Sequence, residues 1–195
     1  SATNAITVNL AQGTVTDRSG GTSSGNDTLR GVEQIEGTRF DDVFDATGFS
    51  ERSANAGGIA AGWQGMRNWY TPAGGNDTVT GNGYTVLSYT NRSMLGIKAD
   101  LSAGVVDSLA SDAATRASPD YLYTVGRTTF TGVAGVEGTD FADWLIGGTN
   151  TMFYGTGSLE VFSPRGGADT VDGASNYDIV YYTSAPNPII VDMRL

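Results

Sequence analysis

The 195-residue chain is predicted to be all-β, short strands wound between tight turns, on three observations. Glycine occurs 28 times, about double the roughly 7% share of an average protein. Apolar residues alternate or cluster in threes to fives, and Gly, Asn, Asp or Thr interrupts them every eight to twelve residues. That is the spacing of strands and turns, not of helices. The sequence also repeats itself, once over about ninety residues and again over nine.

The long repeat sets the order of the elements. ITVNL at 6–10 returns as IKADL at 97–101 and as IIVDM at 189–193, displaced by 91 and then 92 residues. GVEQIEGTRFDDVF at 31–44 matches GVAGVEGTDFADWL at 132–145, displaced by 101 because a polar segment at 108–123 is longer in the second copy. PAGGNDTVTG at 72–81 matches PRGGADTVDG at 164–173, and YTVLSYT at 84–90 parallels YDIVYYT at 177–183. The chain therefore divides into a first unit at 1–96, a second at 97–188 and the opening of a third at 189–195. Stopping inside a repeat, it is expected to be a piece of a longer protein with flanking domains. An aromatic insertion near 49–71 is peculiar to the first unit, and only 101–117 has the composition of a helical turn.

The nine-residue period places one aspartate and one apolar residue per turn. With Asp77 at position 6, Gly74 and Gly75 take positions 3 and 4 and Val79 position 8. Asp169 and Val171 repeat this after Gly166 and Gly167, and Asp178 and Val180 repeat it nine residues later. Gly37, Asp42 and Phe44, then Gly138, Asp143 and Leu145, fit the same frame, as do Gly25, Asp27 and Leu29. Nine residues suffice for a glycine-bearing turn and a short strand with one inward apolar side chain. One such half-coil cannot bury that side chain alone, so stacked neighbours must supply the core.

Composition narrows the chemistry. With no cysteine and no histidine, disulfides, zinc-thiolate sites, cysteine nucleophiles and histidine bases are excluded, and an autonomous enzyme is not expected. A net charge of −10 argues against nucleic acid and anionic membrane surfaces and in favour of cations. No apolar run approaches the length of a membrane span. Sixteen of the 21 acids are aspartate, Glu33, Glu36, Glu51, Glu137 and Glu160 being the rest. Aspartate is the short carboxylate that suits tight loops and hard ions, and the bias points to calcium.

In this frame the chain resembles the hemolysin-type, or RTX, repeat, G-G-x-G-x-D-x-U-x with U apolar. Its longer units are similar to the degenerate segments flanking such repeats in serralysin-type proteases, mannuronan epimerase modules and other large secreted bacterial proteins. The resemblance implies a right-handed parallel β-roll or β-solenoid with irregular loop insertions. It also implies calcium held between stacked turns by Asp77 with the carbonyls of Gly74 and Gly75, and by Asp169 with those of Gly166 and Gly167. Asp178, Asp27, Asp42 and Asp143 are the further candidate ligands. At most two nonamers run consecutively, Thr85 stands where Asp178 has its counterpart and Phe40 replaces a position-4 glycine, so fewer ions are expected than in a full array. The alternative is that each Asp caps its own turn without metal.

Asp41 with Asp42, and the repeated Glu36 and Glu137, have the composition of a glycosidase pair, but repetition in register with the turns argues against catalysis. Trp63, Trp69 and Tyr70 offer rings that either stack on a sugar or fill a gap beneath the insertion. The expected role is a secreted or cell-surface calcium-binding structural module that folds on meeting calcium outside the cell. The alternative is a polysaccharide- or surface-binding module on the same scaffold.

Overall fold

The structure, a computed structural model, describes residues 3–20, 25–56, 66–90, 95–109, 126–149, 152–154 and 157–190. Among them are fifteen strands and no α-helix. The first unit contributes β1 (Ile6–Asn9), β2 (Thr14–Asp17), β3 (Asn26–Thr28), β4 (Gln34–Glu36), β5 (Val43–Asp45), β6 (Asn68–Thr71) and β7 (Asp77–Ser88). The second contributes β8 (Ile97–Asp100), β9 (Val105–Ser108), β10 (Arg127–Glu137), β11 (Trp144–Ile146), β12 (Met152–Tyr154), β13 (Gly157–Ser163), β14 (Thr170–Asp172) and β15 (Tyr177–Val180).

The strands form one mixed, mostly parallel sheet that runs as two rows. One row is β3-β2-β1-β5-β7-β10-β9-β8-β11-β14. The other joins β4 to β6, β6 to the second half of β7, then the second half of β10, β13 and β15, all parallel. The long strands β7 and β10 belong to both rows, crossing at Gly81–Gly83 and at Gly132, where their mutual register shifts. Pairing is duplicated between units. β1 pairs β2 and β5 as β8 pairs β9 and β11, and β5 pairs β7 as β11 pairs β14. In the other row, β6 pairs β7 as β13 pairs β15.

Alternation along each strand sends one side chain of the nonamer inward. In the first row Val8, Phe44, Val79 and Phe130 stand in cross-strand register, as do Ala99, Leu145 and Val171. In the second, Ile35, Tyr70, Leu87, Val136, Phe162 and Val180 form one ladder. The two ladders share one core, and Phe44 stacks on Tyr70 across it with ring centroids 4.8 Å apart. Each large side chain so buried contributes about 1.5–3 kcal/mol. That core explains why a three-residue strand persists only within the stack.

Two sequence expectations change. Within 101–117, the helical turn gives way at 105–108 to strand β9, because Gly104 at φ +67° turns the chain back and the β-branched pair Val105–Val106 continues the sheet; residues 110–117 lie outside the described residues. Within 49–71, residues 68–71 are not an inserted loop but strand β6, a full rung of the second row.

Candidate cation-binding turns

The turns between the rows hold the position-6 aspartates, and the carboxylates link one turn to the next. Asp77 accepts the Asp42 amide at 2.9 Å, and Asp42 accepts the Ile6 amide at 2.8 Å. In the second unit Asp169 accepts the Asp143 amide at 2.9 Å, and Asp143 accepts the Ile97 amide at 2.8 Å. Asp178 likewise accepts the amide of Glu160.

These acids fall into two kinds. Asp42 and Asp143 are also bracketed by their own turns: Thr38 donates its amide and hydroxyl to Asp42, and Thr139 does the same to Asp143. Tyr70 adds a long hydroxyl contact of 3.4 Å to Asp42. Both oxygens of each are therefore committed to protein donors, the capping arrangement. The carboxylates of Asp77, Asp169 and Asp178 accept a single backbone amide each, leaving lone pairs for a proton or a cation. A further strand, β3, carries Asp27 exposed and facing Val15 of β2, away from these turns.

Glycine sets how closely the turns stack. Gly75 at φ +83° and Gly167 at φ +111° lie against the backbone of the preceding turn. An added Cβ would fall 2.5 Å from the Phe40 carbonyl carbon in one and 2.4 Å from that of Phe141 in the other. Gly74 and Gly166 meet nothing closer than 3.4 Å. The Gly75 carbonyl is turned toward Gly126, whose own Cβ would fall 1.9 Å from it. The doubled glycine thus permits backbone contact between coils.

Burial has an electrostatic consequence. Burial pushes the Asp77 carboxyl up to about 8, with the charges of Asp42 and Asp41 adding to the rise and the Asp42 amide opposing it. Burial also raises Asp42, Asp143, Asp169 and Asp178, each partly offset by its hydrogen bonds. Carboxylates in this state take up a proton or a cation. Among the described residues no three acidic side chains converge on one point, so an ion here would need backbone carbonyls as well.

One acid pair was not legible as a site. Glu160, fully buried, stands directly opposite Asp178 on neighbouring strands β13 and β15. Glu160 accepts the Gly148 amide at 2.7 Å, while Asp178 Oδ1 is buried with no hydrogen-bond partner. The equivalent positions of the first unit are Asn68 and Thr85, displaced by 92 and 93 residues. There the Thr85 hydroxyl donates to Asn68 at 2.8 Å, the Asn68 amide donates to Asn82 and Met66, and the site is satisfied without charge. Comparing SLEVFSP with RNWYTP at the 92-residue spacing exposes this exchange. The threonine of the repeated G-T-x-x-x-D string was the overlooked signal for the Thr38 and Thr139 brackets.

The aromatic candidates separate. Tyr70 is fully buried beneath Asp42 and is a core residue, not an exposed ring for a sugar. Trp69, the next position on β6, points outward and half-buried under the Arg67 guanidinium, 4.7 Å from its ring centroid. Trp63 lies outside the described residues. No helix among the described residues is long and apolar enough to cross a membrane. No protein-family model matches the chain, and no curated protein matches it.

Proposed function

We propose that the chain is a non-catalytic, calcium-stabilised structural module of a secreted, RTX-like protein, its two rows wound as a right-handed β-roll. Alternation of the chain between the rows, from β5 to β6 to β7 and from β11 to β13 to β14, supports the winding. The observation that carries the calcium reading is the Glu160–Asp178 pair. Two acids stand opposite each other in strand register, and one buried oxygen of Asp178 lacks a donor, where the first unit places a neutral pair satisfied with Asn82 and Met66. Leaving a buried acceptor unsatisfied costs about 1–3 kcal/mol, more when it is charged. A divalent cation bound to that oxygen removes the cost. Asp178, Glu160, Asp77 and Asp169 would supply the carboxylates, and calcium would supply the charge that lets them remain ionised and dehydrated.

The mechanism is linkage: an ion that binds the folded turns and not the unfolded chain stabilises folding by mass action. At low calcium the acids oppose assembly, and at the higher concentrations outside cells the module folds. Thermal unfolding followed by circular dichroism, with calcium and with chelator, tests this. The melting temperature is expected to rise with calcium. Glu160→Asn combined with Asp178→Thr, which installs the first unit's pair in the second, is expected to raise stability in chelator and shrink the calcium response. A spectrum and melting temperature unchanged by exhaustive chelation would end the proposal.

A further inference from the structure

We infer that the two ends of the described sheet are complementary halves of one joint, so that a second copy of this chain adds head to tail, its β3 and β4 pairing with β14 and β15 in parallel. The inference rests on strand pairing and holds with or without calcium in the turns.

Among the described residues, strand pairing joins the two units through β7 and β10. There Asp77, Thr78, Val79 and Thr80 oppose Thr128, Thr129, Phe130 and Thr131, and farther along Val86, Leu87 and Ser88 oppose Gly135, Val136 and Glu137. The repeat carries both faces of this joint to the two ends of the described sheet. Shifted by 92, residues 77–80 become 169–172 at β14, and shifted by 93, residues 86–88 become 179–181 at β15. Shifted back by 101, residues 128–131 become 27–30 at β3 and residues 135–137 become 34–36 of β4.

Among the described residues, each of these four strands has an open edge, as does β12, which pairs only β13. β3 pairs only β2, β4 only β6, β14 only β11 and β15 only β13. Their inward side chains show an unfinished core. At the internal joint Val79, Phe130, Leu87 and Val136 are between 0% and 6% exposed. Their counterparts Val171, Leu29, Val180 and Ile35 are only partly buried. Backbone direction agrees as well. Leu29 donates its amide to Gly13 as Phe130 donates to Gly104, so the Thr28 amide points away from β2 as Thr129 points toward β7. Tyr89 donates its amide across the joint to the Glu137 carbonyl, which assigns the Tyr182 amide to Glu36 of the next copy. The close backbone approach of Gly81 to Gly132 is preserved as glycine at 173 and 31.

Charge bears on the same contact in two opposite ways. Arg30 would face Asp172, opposite charges where the internal joint has Thr131 and Thr80, both being exposed in the single chain. Asp27 would face Asp169, like charges where the internal joint has Thr128 and Asp77. Association is therefore weaker than the internal joint, and Asp27 is the residue that weakens it. Because the two surfaces differ, the contact is heterologous, and stacking repeated in one direction extends an open row of copies. Unpaired parallel edges of this kind are templates for strand addition.

Sedimentation velocity over a wide concentration range, in calcium-containing buffer, tests this. A ladder of dimers and longer species growing with concentration is expected. Asp27→Thr, which restores the threonine of the internal joint, should tighten association about two- to fivefold. Thr28→Pro and Tyr182→Pro each remove one edge amide, at opposite ends. Each alone should be monomeric, and their equimolar mixture should form a dimer and nothing larger, since each blocks the end that the other leaves open. Circular dichroism checks that both fold, and Ile35→Lys with Val180→Lys replace them if either does not. A wild-type chain monomeric at every concentration would overturn the inference. So would association untouched by both edge variants, or abolished by one and unaffected by the other.

Discussion

At the scale of single residues, Asp77 shows how a buried carboxyl couples the fold to solution conditions. Its folded value near 8 lies above the ordinary 3.8, so the metal-free folded chain keeps a proton that the unfolded chain releases across that window. The unfolded chain then binds fewer protons than the folded one, and stability falls as pH climbs from about 4 toward 8, at about 1.4 kcal/mol per unit of separation. Asp42, Asp143, Asp169 and Asp178 are raised too and act in the same direction. Asp77→Asn keeps an oxygen to accept the Asp42 amide and removes the titration. Urea unfolding at about pH 5 and about pH 8 should show a smaller pH dependence in the variant, with the gain confined to the higher pH. Equal slopes in variant and wild type would show that Asp77 is not the titrating group.

Within an element, parity along the strand decides what a residue does. On β6, Asn68 and Tyr70 face the core and Trp69 faces out. Tyr70→Ala should cost about 3–5 kcal/mol, the range for removing a buried aromatic ring. Trp69→Ala should cost about 1 kcal/mol, mostly its contact with Arg67. Chemical denaturation of the two variants separates them, and equal losses would contradict the orientation. This element also marks how far the sequence was readable. The alternating nonamers with a clear G-x-x-x-x-D frame revealed the inward Phe44, Val79, Leu145 and Val171. NWYT has no such frame, and a strand and a ring-bearing loop look alike over four residues. Its assignment follows from β4 and β7 on either side. The same limit hid Glu160, whose role depends on which residue lies across from it.

For the whole molecule, the β7–β10 contact makes two units one cooperative body. It spans both rows, and its core side chains are buried as fully as those within a unit. Calorimetry should therefore record a single unfolding transition. Gly81→Ala would place a Cβ 2.2 Å from the Gly132 carbonyl oxygen. It should force the joint apart and split unfolding into two transitions, as nearest-neighbour coupling in repeat proteins requires; one undivided transition would show that the joint is not what couples the units. The amino-acid sequence by itself determined the all-β class, the two unit lengths, the inward apolar positions and the aspartates of the turns, because these are periodic and local. Tertiary structure alone decided which aspartates are spent as caps and which keep lone pairs, that Tyr70 belongs to the core, and that Glu160 meets Asp178. Those outcomes depend on the register between strands far apart in the chain, and register is a property of packing that no single segment encodes.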